Sequence, residues 1–467
     1  MTIRFGTDGW RAIIADEFTF GAVRAVARSL AAVLWREAER GRPSVVIGYD
    51  RRFGSDEFAR SAAEELVSCG LDVLFSRMAI PTPVLSYTTL ESKSSAGLMI
   101  TASHNPPMFN GIKLKSRRGG AAPTSMLRAI EADLMSLEQT GEGREFGQVT
   151  EIDPLPAYLD RIGRHVDLPR MRNAGLTIVV DSMYGSASGV LPRIIGNEAT
   201  QVVELNSVHN PLFPGITGPE PVERNLARLK KVVSDGGANI GIAFDGDGDR
   251  IGVVNEHGEY VSSQHVFALL TRYLLHYRGR LGPIVKSVTG SAMIDALGES
   301  SSVPVIETAA GFTHISQAMT DEGAAIGGEE SGGFAFGFHL PDRDGLLAAL
   351  LLIDYTLQTG TALSDLISEM ESAIGKWRFR RIDLPLRQES RIEVETRLHL
   401  MEWPKEIDSL RIINVVEVDG TRVEFVDGSW LLIRNSGTEP LLRIYAESHD
   451  SETVDALLIG ARTLLGV

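Results

Sequence analysis

Three aspartates at alternate positions, with glycines between them, form a loop with clear metal-binding chemistry: Asp245, Asp247 and Asp249. Carboxylate oxygens are preferred ligands of hard cations such as Mg²⁺, Ca²⁺ or Mn²⁺. The flanks, residues 239–244 and 251–254, are short and apolar, which predicts a strand on each side. The sequence therefore predicts a cation site, facing a phosphate, at the tip of a strand pair.

Two other interpretations of this loop fit less well. A solvated acidic turn would leave the repulsion among three neighbouring carboxylates unrelieved. A calcium-binding EF-hand is a closer rival, since the three aspartates and Glu256 fall at loop positions 1, 3, 5 and 12. Its sixth position, however, requires glycine for the turn and is Arg250 here. The strand-like flanks also differ from the helices of an EF-hand.

A second polar loop, residues 101–107, contains a hydroxyl that could carry a phosphoryl group. Pro106 and Pro107 prevent a helix there and hold the chain extended or turned. Ser103 would then project from a stiff loop, as a nucleophile or, once phosphorylated, as a source of oxygen ligands. An ordinary turn with a surface serine is the alternative. Lys113, farther on, could act as acid, base or phosphate partner, or be a solvated cation.

Three further loops combine glycine with groups that bind sugars or phosphates. Residues 328–333 (GEESGG) carry carboxylates suited to vicinal sugar hydroxyls. Residues 434–440 (RNSGTEP) offer successive amide N–H groups, which could form an anion-binding nest with Arg434 and Arg443. Residues 5–11 (FGTDGWR) are another glycine turn with an arginine. Each loop alone is also explained by a flexible turn or a hairpin.

The elements that must position these loops follow a repeated plan. Residues 44–50, 177–181 and 283–288 are β-branched runs, each typical of a parallel strand that feeds a helix. Ser55 is a candidate cap for the helix after the first run, which should end near Gly70. Three related α/β units, each giving one loop to a shared cleft, are expected. The last ~90 residues alternate strands and turns before a final helix, an α+β pattern.

Length and composition agree with this plan. At ~150 residues per domain, 467 residues predict about three domains, with four also consistent. We place the limits at 1–150, 151–257, 258–375 and 376–467, with a linker over 140–156.

Charge and hydropathy narrow the class of protein. A net charge of −15 argues against nucleic acid or an anionic membrane as partner. No apolar run reaches the length of a spanning helix, and the N-terminus lacks a signal-type apolar core. We therefore expect a cytoplasmic protein. A single cysteine, Cys69, excludes an internal disulfide.

The five motifs FGTDGWR, TASHNP, DGDGDR, GEESGG and RNSGTEP, in this order and spacing, resemble the α-D-phosphohexomutase superfamily over essentially the whole chain. The likeness is greatest to the bacterial phosphoglucomutase/phosphomannomutase branch. Trp10 and Glu330 favour that branch, since phosphoglucosamine mutases typically carry Gln in place of Glu330. The resemblance implies a heart-shaped α/β architecture with a central cleft, formed by three related α/β domains and a C-terminal α+β domain.

The resemblance also implies a role for each motif. Ser103 would be the phosphoserine, and the three aspartates would hold Mg²⁺ together with a phosphoserine oxygen. The phosphoryl site would also contain His104, Lys113, Arg250 and Arg11. Glu329 and Ser331 would bind the sugar O3 and O4. The phosphate that is not transferred would be bound by Arg434, Ser436, Gly437, Thr438 and Arg443, and Lys286 is a further candidate contact.

The implied activity interconverts hexose 1-phosphate and hexose 6-phosphate through a hexose 1,6-bisphosphate. Glucose would be preferred and mannose also accepted, with Mg²⁺ as cofactor and glucose 1,6-bisphosphate as activator. The partners would be phosphorylated hexoses, and the protein a monomer or homodimer. A glucose 1,6-bisphosphate synthase and a phosphoglucosamine mutase remain alternatives. A metal-dependent sugar phosphatase and a non-catalytic sugar-phosphate binding protein are less favoured, because the second phosphate site and Ser103 are both present.

Two positions depart from the family pattern. We call residues 328–333 (GEESGG) the sugar-loop motif. Many relatives end this motif with His, where this chain has Gly333. Relatives of the glucomutase type often have Lys in place of Thr313. Both changes could alter sugar specificity or phosphate contacts.

Overall fold

The computed structural model describes residues 3–6, 8–38, 41–135, 145–385, 388–435 and 441–466. Across these residues the chain forms four sheets, which follow one another along the sequence. The first three mix parallel and antiparallel strands, whereas the pairings of the fourth are antiparallel. Three α/β units followed by an α+β unit confirm the predicted fold class.

The first unit contains β1 (Trp10–Ile13), α1 (Phe20–Glu37), β2 (Ser44–Tyr49), α2 (Ser55–Ser68), β3 (Asp72–Ser76), α3 (Thr82–Glu91), β4 (Ala96–Ile100), β5 (Phe109–Ser116), α4 (Thr124–Met135) and β6 (Val149–Ile152). The order in its sheet is β1-β5-β4-β2-β3-β6, with β3, β2 and β4 parallel at the centre. The prediction of a linker over 140–156 is wrong at residues 149–152, because these residues form β6, which pairs in parallel with β3. An open edge of β3 offers backbone groups that a passing extended segment can satisfy.

The predicted cap of α2 is also wrong. The helix begins at Ser55, and its cap is Gly54, whose φ of +72° favours glycine. The Ser55 Oγ instead donates to Asp50 Oδ1 at 2.7 Å. Asp50 is buried, and a buried carboxylate needs such donors.

The second unit contains α5 (Leu155–Gly163), α6 (Leu168–Arg172), β7 (Thr177–Asp181), α7 (Val190–Ile195), β8 (Gln201–Leu205), a 3₁₀ turn (Glu223–Asn225), α8 (Ala227–Gly236), β9 (Ile240–Phe244), β10 (Ile251–Val254) and β11 (Tyr260–Val261). Its sheet has the order β11-β10-β9-β7-β8. Strands β9 and β10 form an antiparallel pair, so the acidic loop lies at the tip of a strand pair as predicted. Strand β11 lies beyond the predicted limit at 257 and still pairs with β10.

The third unit contains α9 (Ser263–Arg272), a π-helical turn (Tyr273–Tyr277), β12 (Ile284–Ser287), α10 (Ala292–Ser301), β13 (Val305–Thr308), α11 (Phe312–Glu322), β14 (Ile326–Gly328), β15 (Phe334–Phe336), α12 (Gly345–Thr359) and α13 (Leu363–Ile374). Its sheet has the order β13-β12-β14-β15. Strands β14 and β15 are antiparallel, so the sugar-loop motif also lies at the tip of a strand pair.

The fourth unit contains β16 (Arg378–Pro385), α14 (Gln388–Leu400), β17 (Glu406–Ile407), β18 (Leu410–Glu417), β19 (Thr421–Phe425), β20 (Trp430–Asn435), β21 (Leu441–Ser448) and α15 (Ser451–Leu465). Its sheet has the order β16-β21-β20-β19-β18-β17. The turn at 426–429 joins β19 to β20, as the sequence predicts.

The apolar cores divide the molecule unequally. One large core combines residues of the first three units and includes α12, which is buried from Gly345 to Tyr355, and the first unit has a second core of its own between its sheet and helices α1 and α2. The fourth unit has its own core, and a small cluster of Val288 with Trp430, Leu432 and Tyr445 joins it to the third. In the described chain no single helix is long and apolar enough to span a membrane, although α12 and α13, bent by 83°, pass that test as a pair.

Candidate active site

Ser103 lies in the loop after β4 with a backbone that is uncommon for a side-chain-bearing residue. Its φ is +49°, in the left-handed region. Neighbours hold this conformation: its N–H donates to Thr101 Oγ1 at 2.9 Å, and its carbonyl accepts from Arg52 at 2.7 Å. Strained backbones of this kind persist only where surrounding contacts hold them, and they cluster at functional sites.

Arg52 supports the whole loop and was not identified from the sequence. Besides Ser103, its guanidinium donates to the carbonyl oxygens of Asn105, Pro106 and Phe109 at 2.6–3.1 Å. Burial lowers the pKa of Arg52 to about 10, with Asp50 opposing the shift. The residue remains a cation at neutral pH.

The Ser103 hydroxyl faces the acidic loop. Its Oγ donates to Asp245 Oδ2 at 2.6 Å and lies 3.4 Å from His104 Nδ1. The other oxygen of Asp245 accepts the backbone N–H groups of Asp249 and Arg250 at 3.0 and 3.1 Å. A Cβ at Gly246 would lie 2.4 Å from the Ser103 carbonyl oxygen, so the two loops approach more closely than a side chain would allow.

The three aspartates fit a metal ion. All are fully buried, and one oxygen of each lies within 4.8 Å of the others. Asp247 Oδ1 and Asp249 Oδ1 have no hydrogen-bond partner within the described residues, which is costly for buried carboxylate oxygens. Burial and the charges of the other two aspartates raise the pKa of Asp245 well above its usual range. A hard divalent cation would relieve both costs.

Lys113 lies among carboxylates rather than in solvent. Its Nζ is 2.7 Å from both Asp247 Oδ2 and Asp249 Oδ2, and 3.2 Å from Asp8 Oδ2. Burial alone would lower the pKa of Lys113, but these three carboxylates raise it above its ordinary value. Lys113 is therefore a fixed positive charge beside the predicted metal site.

The first motif contributes more than a turn. Arg11 pairs with Asp8 at 2.7 Å, donates to Asn105 Oδ1 at 2.7 Å and lies 3.5 Å from His104 Nδ1. Burial, followed by the charges of Arg250 and Arg11, holds the pKa of His104 well below its usual range. His104 is therefore neutral next to the Ser103 hydroxyl.

Arg343 joins loops from three units and was also not identified from the sequence. Its Nη2 contacts Asp8 Oδ1 at 2.6 Å and Asp249 Oδ2 at 2.8 Å, and its Nη1 contacts Glu329 Oε1 at 3.2 Å. The chain separations are 335 residues to Asp8 and 94 to Asp249, so no local pattern could reveal these contacts.

In the sugar-loop motif the two acidic residues point to different partners. Glu329 Oε1 accepts from Ser331 Oγ at 2.8 Å. Glu330 instead accepts from Thr289 Oγ1 at 2.5 Å and lies 3.6 Å from Arg381 of the fourth unit. Glu329 therefore belongs to the set of charged residues joined by Arg343, with Asp8 and Asp249, which we call the central network. Glu330 faces the fourth unit.

The remaining predicted residues lie around this network. Arg250 Nε is 3.9 Å from Asp249 Oδ1. Lys286 pairs with Asp295 at 2.5 Å and Glu307 at 3.7 Å, both in its own unit.

In the fourth unit, Arg434 pairs with Asp419 at 2.9 Å and Arg443 lies 3.7 Å from Asp383. Ser436, Gly437 and Thr438 lie outside the described residues.

Comparison with known proteins identifies matches along the chain. Sequence models of phosphoglucomutase/phosphomannomutase α/β/α domains I, II and III match residues 2–140, 156–258 and 262–373. The model of the C-terminal domain matches residues 392–458.

Individual relatives cover nearly the whole chain. A probable phosphoglucosamine mutase of Methanothermobacter thermautotrophicus is 33% identical over 96% of this chain and 94% of its own length. A phosphoglucomutase/phosphomannomutase of Thermococcus kodakarensis is 30% identical over 96% of this chain and 95% of its own. A crystal structure from Thermus thermophilus, provisionally assigned as a phosphomannomutase, has 32% identity, full coverage of both chains and a TM-score of 0.87.

Proposed function

The chain belongs to the phosphoglucomutase/phosphomannomutase family, and from that premise we propose that it interconverts hexose 1-phosphates and hexose 6-phosphates through a phosphoserine at Ser103. The observation that supports this most is the contact of 2.6 Å between the Ser103 hydroxyl and Asp245, inside a buried set of cations and carboxylates. Phosphoryl transfer depends mainly on positioning and on charge neutralisation, which such a set provides.

The reaction has two half-steps. In the first, a sugar hydroxyl attacks the phosphorus on Ser103, the P–Oγ bond breaks, and a hexose 1,6-bisphosphate forms. The hydroxyl proton passes through His104, which lies 3.4 Å from Ser103 Oγ, to this oxygen as it leaves phosphorus. In the second, the bisphosphate turns around, Ser103 Oγ attacks the other phosphate, and the Ser103 hydroxyl proton returns through His104 to the sugar oxygen that is released.

Charge around the transferred group is set by residues of the first three units. Asp245, Asp247 and Asp249 would hold Mg²⁺, which when bound supplies positive charge against the phosphoserine. Lys113 fixes two of these carboxylates at 2.7 Å, and Arg250 lies beside the loop. Arg11 holds Asn105 and contacts His104, which keeps the Ser103 loop in place.

Binding of the sugar is assigned to the third and fourth units. Glu329 and Ser331 would form hydrogen bonds with the O3 and O4 hydroxyls of the sugar, because their side chains meet at the tip of the β14–β15 pair. Arg434 and Arg443, with residues 436–438, would bind the phosphate that stays on the sugar. Lys286 is retained as a further phosphate contact. Closure of the fourth unit about a hinge near Gly375 would exclude water.

The sugar is proposed to be glucose, with mannose also accepted and glucose 1,6-bisphosphate as activator. Glucosamine phosphate is a second candidate, favoured by the probable phosphoglucosamine mutases among the relatives. Glu330 supports the first choice, since the glucosamine branch typically carries Gln at that place. A glucose 1,6-bisphosphate synthase would use the same residues. We propose a monomer or homodimer that acts in the cytoplasm, with no nucleic acid or membrane partner.

The test is isomerisation of glucose, mannose and glucosamine 1-phosphates, with Mg²⁺ and trace glucose 1,6-bisphosphate, and with free phosphate measured in parallel. Isomerisation with little phosphate release supports the proposal, and the ratio of kcat/KM values identifies the sugar. Phosphate release without isomerisation would indicate a phosphatase. Accumulation of bisphosphate would indicate the synthase.

A further inference from the structure

The side chain of Arg343 is held in place along its whole length. The residue precedes α12 and is 1% exposed. Its guanidinium lies over the ring of Phe312, 5.1 Å from the ring centroid, and its nitrogens contact Asp8, Asp249 and Glu329 at 2.6–3.2 Å. The planar guanidinium fixes the directions of its donors, whereas the ammonium group of a lysine is a point charge on a flexible stem.

Gly333 lies where the stem of Arg343 passes. A Cβ built at this glycine would lie 2.1 Å from Arg343 Cδ and 2.8 Å from its Cγ. The nearest atoms all belong to the Arg343 side chain, and the backbone of Gly333 has no φ in the left-handed region. Glycine is therefore required at 333 for the space it leaves to Arg343, and not for its own conformation.

We propose that Arg343 is a positioning residue that sets the sugar-binding carboxylate of Glu329 relative to the metal loop, and that Gly333 provides the space for it. This inference rests on the proposed function, in which Glu329 accepts sugar hydroxyls. Arg343 and Ser331 both contact Glu329 Oε1, so the carboxylate is held from two sides. Because Arg343 also contacts Asp249, a sugar aligned on Glu329 is aligned with the site of phosphoryl transfer.

The position of Glu329 decides which sugar hydroxyls fit. An acceptor held to within about 0.5 Å discriminates between epimers, whereas a loosely held carboxylate follows either hydroxyl. Arg343 therefore contributes to the selection of the sugar without touching it. The departure at Gly333 from the histidine of many relatives is then one half of a pair, of which Arg343 is the other half.

The experiment compares Arg343→Lys and Gly333→Ala with the wild type on glucose 1-phosphate and on its C4 epimer, galactose 1-phosphate. Arg343→Lys retains the charge but loses part of the fork. Gly333→Ala retains Arg343 but forces its stem aside. Each is expected to lower kcat/KM for glucose 1-phosphate by about 10- to 100-fold, as loss of a supporting contact does. Each should also narrow the ratio between the two epimers by about tenfold, since selectivity depends on how well polar groups pair.

The double variant tests whether the two residues act together. If Gly333 acts through Arg343, the two losses should not add, and the double variant should resemble either single one. Arg278→Lys is the matched control, because Arg278 also pairs with a carboxylate, Asp354 at 2.9 Å, but outside the central network. Its epimer ratio should equal that of the wild type.

The outcomes separate this inference from the proposed function. If the wild type isomerises no hexose phosphate, both are overturned. If it is active and both variants keep the wild-type epimer ratio, the role of Arg343 alone is overturned. Should Arg343→Lys fail to fold, Gly333→Ala still decides, because it removes no charge. Equal losses on both epimers would indicate a purely structural residue and would also overturn the role.

Discussion

The proposed phosphoryl-transfer centre and the proposed phosphate-binding end of the fourth unit are built in opposite ways. At the centre, Lys113 and Arg343 have side chains 2% and 1% exposed, and the aspartates that they contact in the metal loop are fully buried. In the fourth unit, Arg434 and Arg443 have side chains 11% and 19% exposed, with carboxylate partners that are each 32% exposed. The centre is thus organised before substrate binds, whereas the arginines of the fourth unit have partners that a phosphate can displace.

The packing shows the same division. The first three units share one large core, whereas the fourth unit meets the third through a small apolar cluster around Trp430 and Tyr445 and through polar contacts such as the Arg422–Glu307 pair at 3.0 Å. A site that performs chemistry benefits from fixed charges. A site that must release a sugar, accept it turned around and close over it benefits from a unit that has its own core and can move as a body.

The largest effect expected from this comparison is that of Ser103→Ala. Removal of the nucleophile at the rigid centre should lower kcat by about 10⁴-fold or more, because the neighbouring charges cannot act without it. Steady-state isomerisation measures the effect. Ser76→Ala removes another buried hydroxyl, which donates to the Met78 carbonyl oxygen, and should retain full activity.

Next in size is the effect of Lys113→Met on stability. This change removes the cation that lies 2.7 Å from Asp247, and loss of one partner from a buried ion pair costs about 3–5 kcal/mol of unfolding free energy. Urea unfolding in the absence of divalent cations measures it, and Mg²⁺ should recover part of the loss by binding the folded state. Lys230→Met, which removes an exposed pair with Glu223, should change stability by about 0.5 kcal/mol or less. Equal losses for the two variants would contradict a preorganised centre.

Arg434→Ala should have little effect on stability and a large effect on KM, the opposite of what is expected for the buried centre. Its pair with Asp419 is partly exposed and so contributes at most about 1 kcal/mol of stability. If the residue binds the phosphate that is not transferred, KM should rise by about 10- to 100-fold while kcat changes little. Kinetics with glucose 1-phosphate and glucose 6-phosphate check both directions. A large loss of stability with an unchanged KM would mean that Arg434 is structural.

The smallest effect is expected from a cationic site outside the cleft. Burial and then the charges of His339, Arg161, Arg280 and Arg278 lower the pKa of His165 to about 4. The unfolded chain takes up this proton near pH ~6.5 and the folded chain near pH 4, so stability falls as pH decreases through that window. After allowance for solvent screening of a half-buried ring, the loss is about 1–2 kcal/mol.

Comparison of urea unfolding for the wild type and His165→Gln at about pH 7 and about pH 4.5 isolates this contribution. The variant should lose less stability than the wild type over that interval. Parallel losses in the two proteins would show that His165 does not titrate as its cationic surroundings require.

Local pattern was enough to predict much of the fold. The run at 177–181 forms β7 as predicted, and the acidic loop connects an antiparallel strand pair. Where the prediction failed, a contact that the local pattern does not reveal decided. Ser55 bonds a buried Asp50 instead of capping its helix, and residues 149–152 complete a sheet edge instead of forming a linker.

Local sequence pattern also predicted only part of the candidate site. Ser103 and the three aspartates stand out by type and spacing, and the structure brings them together. In the sequence Asp8 is explained by a turn, and Arg343 lies in a loop without a motif, between β15 and α12. Their importance arises from contacts across units, and a single sequence without the fold carries no signal of such contacts.

Whether Ser103 carries the phosphoryl group is tested most directly by peptide mass spectrometry of the protein after incubation with glucose 1,6-bisphosphate and Mg²⁺. We expect one phosphate on the peptide that contains Ser103, its loss on addition of glucose 6-phosphate, and no phosphate there in Ser103→Ala. Full isomerase turnover with Ser103 unmodified at every time point would contradict it.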